Sequence, residues 1–136
     1  MPNRWLFKSD PDDYGYGHLE RDGKAVWDGV SNNLALKHLR SIKKGDAILI
    51  YHTGDEKAIV GLAEAVSDPY PDPKAADSKL VVVDIKPKQR VKRAVTLAEV
   101  KQDPAFASFP LVRMARLSVM PVGEQEWKKL AAMSGL

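Results

Sequence analysis

Hydrophobic positions along the chain recur with a period of two in some stretches and of three to four in others, and the switches mark the elements. RWLFK at 4–8 is short, aromatic and apolar, which predicts a first strand. It runs into SDPDDYGYG (9–17), a cluster of turn formers that predicts a turn. Leu34, Ala35, Leu36, Leu39 and Ile42 then recur at helical spacing. Ser31 or Asn32 offers a side-chain oxygen to the free N–H groups at the start of that helix. Lys43, Lys44 and Gly45 form its expected stop, cations followed by a glycine. AILIYH (47–52) and AIVGLAEAV (58–66) flank TGDEK and predict a hairpin, with Gly61 marking a bulge or a close backbone approach. SDPYPDPKAADS (67–78) reads as a proline-rich loop.

In the second half, KLVVVDIKPKQRVKR (79–93) predicts a strand whose alternation puts Val83, Ile85, Pro87, Gln89 and Val91 on one face. Asp84, Lys86, Lys88, Arg90 and Lys92 fall on the other, and Pro87 argues for an edge position. VTLAEVKQD (95–103) has capping-box spacing at Thr96 and Glu99, with Val95 and Val100 placed as a staple. ARLSVMPV (115–122) predicts a last strand, and EQEWKKLAAM (124–133) a closing helix with Trp127, Leu130 and Ala131 on one face. Strands outnumber helices without strict alternation, which predicts an α+β fold and a small mixed barrel.

The length of 136 residues suits one domain spanning 1–136. There is no cysteine, which excludes a disulfide framework and a thiolate metal site. MPNRWLFKSDPDD turns acidic within ten residues and no apolar run follows it, so neither a secretory signal nor a membrane span is expected. A cytoplasmic protein is the default. Net charge is only +3, but its distribution is uneven. Lys37, Arg40, Lys43 and Lys44 lie in LKHLRSIKK (36–44), and Lys86, Lys88, Arg90, Lys92 and Arg93 in KPKQRVKR (86–93), both without an acid. Clustered cations fit a polyanion partner, and equally a solvated basic face. The strand cluster also fits protection of an edge.

Catalytic tools are sparse. The three histidines, His18, His38 and His52, have no common metal spacing, and no phosphate-binding loop, nucleophile elbow or dinucleotide fingerprint occurs. Asp10, Asp12 and Asp13 read most simply as a turn, and His52 as a hydrogen-bonded strand-end residue. A binder needs less: an aromatic wall and a few fixed polar groups can read an extruded base, with stacking contributing about 1–3 kcal/mol. Trp27, ahead of DGVSNN, offers such a wall beside a helix start. It serves equally as a core tryptophan at the helix entrance.

WLFKSDPDDYGYGHL, VWDGVSNNLALKHLRSIKKGDAILIYHTG, IVGLAEAVSDPYPDP and RMARLSVMPV resemble, in order, the blocks of the EVE domain family, which includes bacterial stand-alone proteins and the thymocyte nuclear protein group. The resemblance spans nearly the whole chain. It implies a PUA-like fold, a compact mixed β-barrel with surrounding short helices, and kinship with YTH domains. It also implies a non-enzymatic module that reads a modified nucleobase in DNA or RNA, with no cofactor, no metal and no membrane partner, and with a monomer favoured. Carried over by position, Lys8, Ser9, Asp10, Trp27, Asn32, Tyr51, His52, Leu117 and Ser118 would form the nucleobase pocket. From the charge clusters, Lys37, Arg40, Lys43, Lys44, Lys86, Lys88 and Arg90 would contact the backbone if they share the pocket's face, together with Arg116 of the last matched block, and Tyr70 falls in the loop where YTH relatives place a second wall. This chain departs from the family pattern at Ser31, where relatives carry arginine, at Asp10, where they carry glutamate, and at Thr53, where they carry serine. Two other functions stand beside the reader: a small hydrolase or other enzyme acting on a modified nucleoside through His52, and a protein-interaction module.

Overall fold

The first strand, β1 (Arg4–Ser9), lies inside the sheet. It pairs in parallel with β3 (Ala47–His52), from Arg4 opposite Ala47 to Ser9 opposite His52, and antiparallel with β7 (Val119–Pro121). A parallel pair needs a crossover. Here it comprises α1 (Pro11–Tyr14), α2 (Tyr16–Asp22), β2 (Ala25–Trp27) and α3 (Asn33–Arg40). The remaining elements are β4 (Ala58–Ala65), β5 (Tyr70–Pro71), β6 (Val81–Thr96), α4 (Leu97–Gln102), a single 3-10 turn (Pro104–Phe106), α5 (Pro110–Arg113) and α6 (Glu124–Ser134). The computed structural model describes residues 3–76 and 79–136. Strand order is β2-β6-β4-β3-β1-β7, with β5 also on β6, and the sheet curls into a half-barrel flanked by the short helices. Among the described residues no helix is long and apolar enough to cross a membrane.

The core sits inside the curl. Leu6 and Phe7 of β1 and Ile48, Leu49 and Ile50 of β3 are buried on both faces, as expected of strands covered on both sides. Leu36 and Leu39 of α3, Val83 and Ile85 of β6, and Val119 and Met120 of β7 close over them. Gly61 fulfils both expectations made for it. The ladder shifts register beside it, and a Cβ there would come within 2.4 Å of the Tyr16 ring. Tyr16 is itself fixed by its hydroxyl, which donates to the Leu62 carbonyl at 2.7 Å.

Four local expectations are corrected. SDPDDYGYG is the start of two short helices, because Asp10 caps α1 by accepting from the Asp12 N–H and Pro11 takes the first helical position, where its missing donor costs nothing. The third helix stops at Arg40, before Lys43: the buried Asp46 carboxylate collects the N–H groups of Lys43 and Asn3 and the Trp5 indole N–H, which pulls the chain out of the helix. The predicted last strand shrinks to three residues, since 115–118 turn past α5 and meet the β1 backbone through the Ser118 carbonyl, which accepts from Lys8 N–H. The loop over 67–78 contains β5. Pro87 needs a finer statement. β2 pairs with Val83–Ile85 and β4 with Ile85–Thr96, so β6 has these strands on both sides only at Ile85, and from Pro87 onward one side of β6 has no strand beside it among the described residues.

Candidate nucleic-acid interface

Adjacent residues of a strand point to opposite faces, and that rule governs the end of β1. Ser9 and Phe7 face the crossover, and Lys8 faces the other way with its ladder partner Tyr51. On the crossover side, Trp27 ends β2 with its ring 5.2 Å from Phe7 and 6.4 Å, edge-on, from Tyr14. It is 9% exposed, and its open part borders a hollow of about 390 Å³ lined by Ser9, Tyr14, Asp22, Lys24, Ala25, Val26, Trp27 and Asp28. That size is in the range of small-molecule clefts.

Polar groups ring this hollow. Ser9 Oγ donates to the Tyr14 carbonyl at 2.6 Å, fixing the end of α1 against β1. The Tyr14 hydroxyl donates to Asp22 Oδ2 at 2.8 Å, and Arg21 braces Asp22 from outside at 3.0 Å. Burial and the Asp22 carboxylate push the Tyr14 phenol up to about 12. The hydrogen bonds from Arg21 and Tyr14 hold Asp22 below its usual value. Lys24 lies 3.6 Å from Asp84. Asp28 is exposed and has no hydrogen bond or ion pair among the described residues, so both its oxygens are free to accept. Gly29 then turns the chain at φ 76°, a conformation that favours glycine, and carries it away to the Asn32 cap.

Of the pocket residues expected from sequence, only Ser9 and Trp27 line this hollow. Asp10 is engaged as the cap of α1. Lys8 and Tyr51 line a second hollow of about 280 Å³, where Lys8 Nζ donates to the Ala115 carbonyl at 2.9 Å and burial lowers its pKa. Asn32 Oδ1 accepts from Ala35 N–H at 3.0 Å, and Asn32 lines a third hollow with Arg113, Met114, Arg116 and Leu117. Ser118 is half-buried between β7 and that turn. His52 is buried, with Nε2 accepting the Tyr16 N–H at 2.9 Å and Nδ1 2.7 Å from Glu56 Oε1. This pair of bonds fixes the tautomer with the proton on Nδ1. Tyr70 donates to Asp84 at 2.6 Å and does not line the Trp27 hollow.

Sequence reading missed Tyr14, Asp22, Lys24, Val26 and Asp28 as lining residues. Only Asp28 carried a signal, its position directly after the tryptophan. Tyr14 and Asp22 arrive on α1 and α2, and Lys24, Ala25 and Val26 on β2 and the turn before it, none of them elements that the sequence pattern predicted.

The two basic clusters differ. On β6, Lys86 and Lys88 reach Glu64 at 3.6 and 3.0 Å, Arg90 meets Glu20 at 2.7 Å, and Arg93 pairs with Glu99. The stretch has no acid of its own, but neighbouring elements supply them. On α3 and the turn after it, Lys37, Arg40, Lys43 and Lys44 form no ion pair among the described residues, although Arg40 donates to the Lys79 carbonyl. Arg113 and Arg116 are exposed and likewise unpaired.

A model of the EVE domain matches residues 3–133. The chain belongs to the EVE domain family. Mouse thymocyte nuclear protein 1 is 30% identical to this EVE domain over 93% of the chain and 71% of that protein. An NMR structure from Rhodopseudomonas palustris shares 40% identity, with a TM-score of 0.92 over 98% of this chain and 93% of that one. The crystal structure of human THYN1 in complex with DNA containing 5-methylcytosine shares 26% identity and a TM-score of 0.90, covering 98% of each chain. The fold of this EVE domain is therefore PUA-like, as its sequence blocks implied.

Proposed function

We propose that this EVE domain is a non-enzymatic nucleic-acid-binding module that accepts one extruded nucleobase, a modified one, in the hollow beside Trp27. The carrying observation is the hollow itself: an indole with part of its surface open, next to free carboxylate oxygens, in a space of nucleobase dimensions. The complex of human THYN1 with methylated DNA supports a nucleic-acid partner for this related chain. In this reading the base stacks against the open part of Trp27 and the edge of Tyr14. Asp28 accepts a hydrogen bond from an exocyclic amine, and Ser9, whose proton is committed to the Tyr14 carbonyl, offers lone pairs. Val26, 48% exposed at the rim, packs against the sugar.

Oligonucleotides carrying cytosine or 5-methylcytosine, titrated at one stated salt concentration, test the reading. Asp28→Asn should weaken binding by about 1–3 kcal/mol without changing the melting temperature, because the Asp28 side chain bonds nothing among the described residues. Trp27→Phe should retain the fold and lose part of the stacking. Unchanged affinity in both variants would remove the pocket from the function. The hydrolase reading through His52 is disfavoured, since both ring nitrogens are engaged within the protein.

A further inference from the structure

The hollow on the other face of β1 has a composition unlike the first. Three lysines line it, Lys8, Lys57 and Lys101, and no acid does. None of the three forms an ion pair among the described residues. Lys8 is held by the Ala115 carbonyl at 2.9 Å and lies 5.8 Å from the Tyr51 ring centre, while Lys57 and Lys101 are exposed and their ammonium groups bond nothing among the described residues. The cations of β6, by contrast, nearly all meet carboxylates. Lys57 is also fixed in place: it sits at φ 45°, uncommon for a lysine, and its carbonyl accepts the Leu97 N–H at 2.8 Å, tying the hairpin turn to α4.

A second observation points to a ligand. Tyr51 is 97% buried by its neighbours, being only 3% exposed, yet its hydroxyl has no hydrogen-bond partner among the described residues. Among the described residues every side-chain polar atom fully shut off from solvent has a partner, so that oxygen keeps a solvent-facing surface on a residue that lines the hollow. Buried phenols ordinarily find a partner inside the protein. Here an O–H donor and three lysines line one space of about 280 Å³, and no carboxylate among the described residues pairs with those lysines.

We propose that the hollow between Lys8, Tyr51, Lys57 and Lys101 is a phosphate-binding site, separate from the Trp27 hollow. Lysine serves as a point charge for phosphate oxygens, and the tyrosine hydroxyl adds a directional donor. The phosphate comes either from a free or terminal phosphate group or from the diester backbone of a bound strand. Ser9 and Lys8 diverge from one backbone, so the site stands on its own whether or not a base enters the other hollow.

Titration calorimetry on the full chain at low ionic strength, with pyrophosphate in one arm and, in the other, two abasic deoxyribose units joined by one phosphodiester with no terminal phosphate, tests this. The double variant Lys57→Gln/Lys101→Gln removes two exposed, unpartnered charges and should weaken whichever ligand binds by roughly tenfold or more. Tyr51→Phe, which keeps the packing and removes only the hydroxyl, should weaken it several-fold, and Asp28→Asn should leave it unchanged. Binding of pyrophosphate alone identifies a free or terminal phosphate; binding of the diester with the same lysine dependence identifies the strand backbone. Either result upholds the site. Absence of binding in both arms, or equal affinity in the wild type and the double lysine variant, overturns it. Loss of base binding in Asp28→Asn with phosphate binding intact separates this site from the reading of the first hollow.

Discussion

His52 accepts the backbone N–H of Tyr16 through Nε2 at 2.9 Å and bonds Glu56 through Nδ1 at 2.7 Å. The histidine thereby clamps the start of α2 to the end of β3, and through α2 it holds Tyr16 against Gly61. Replacing it with alanine leaves a buried N–H without a partner, which costs about 1–3 kcal/mol. His52→Ala should lower the denaturant midpoint accordingly, with little change in the intrinsic affinity of the folded protein for nucleic acid. A variant of unaltered stability and abolished binding would instead assign the imidazole to a ligand.

Gly61→Ala should be among the more damaging small substitutions. The added methyl meets three carbons of the Tyr16 ring at 2.4–2.6 Å, and that ring is pinned by its hydroxyl bond to Leu62 and covered by Arg90 at 5.3 Å. Overpacking of this kind costs roughly 1–3 kcal/mol. Thermal melting of the alanine variant, and of Gly61→Ala/Tyr16→Leu, checks the cause: removing the ring should restore part of the loss.

Salt dependence of nucleic-acid binding should follow the unpaired cations. Lys88→Ala and Arg90→Ala remove charges already matched by Glu64 and Glu20, so the slope of log affinity against log salt should stay as in the wild type. Arg113→Ala and Arg116→Ala should each flatten it by roughly one unit. The opposite ranking would return the backbone contact to the β6 ladder.

Tyr14 and Tyr70 make the stability depend on alkaline pH. Burial and Asp22 push Tyr14 up to about 12, and the hydrogen bond to Asp84 does the same for Tyr70, from an ordinary value of 10. Groups raised in the folded state contribute stability that is complete below pH 10 and lost as pH rises through 12, because the unfolded chain releases those protons first. Stability measured by denaturant should therefore fall across that interval. The fall should be shallower in Tyr14→Phe and Tyr70→Phe, and an equal slope in both variants would contradict the assignment.

Much of the fold was legible because it rests on local pattern. The β3–β4 hairpin, the Asn32 cap and the Thr96–Glu99 capping box all follow from residue spacing, and each is present. The candidate site was less legible for two physical reasons. Sequence blocks keep Lys8, Ser9 and Asp10 together, but a strand sends the first two to opposite faces and the third is used up as a helix cap. Charge patterning along β6 likewise says nothing of Glu20, Glu64 and Glu99, which reach it from other elements. Most of the Trp27 ring belongs to the core, and the remainder borders the hollow.

The position of β1 between β3 and β7 carries a consequence for how the chain assembles. A strand that emerges first has one hydrogen-bonding flank filled by residues 119–121, which emerge more than a hundred positions later. Until then Trp5, Leu6 and Phe7 expose an apolar, unpaired margin, the kind of template on which neighbouring nascent chains can zip together. Shortening the gene ahead of Val119 would make that interim state permanent, so C-terminal truncation products should collect in inclusion bodies.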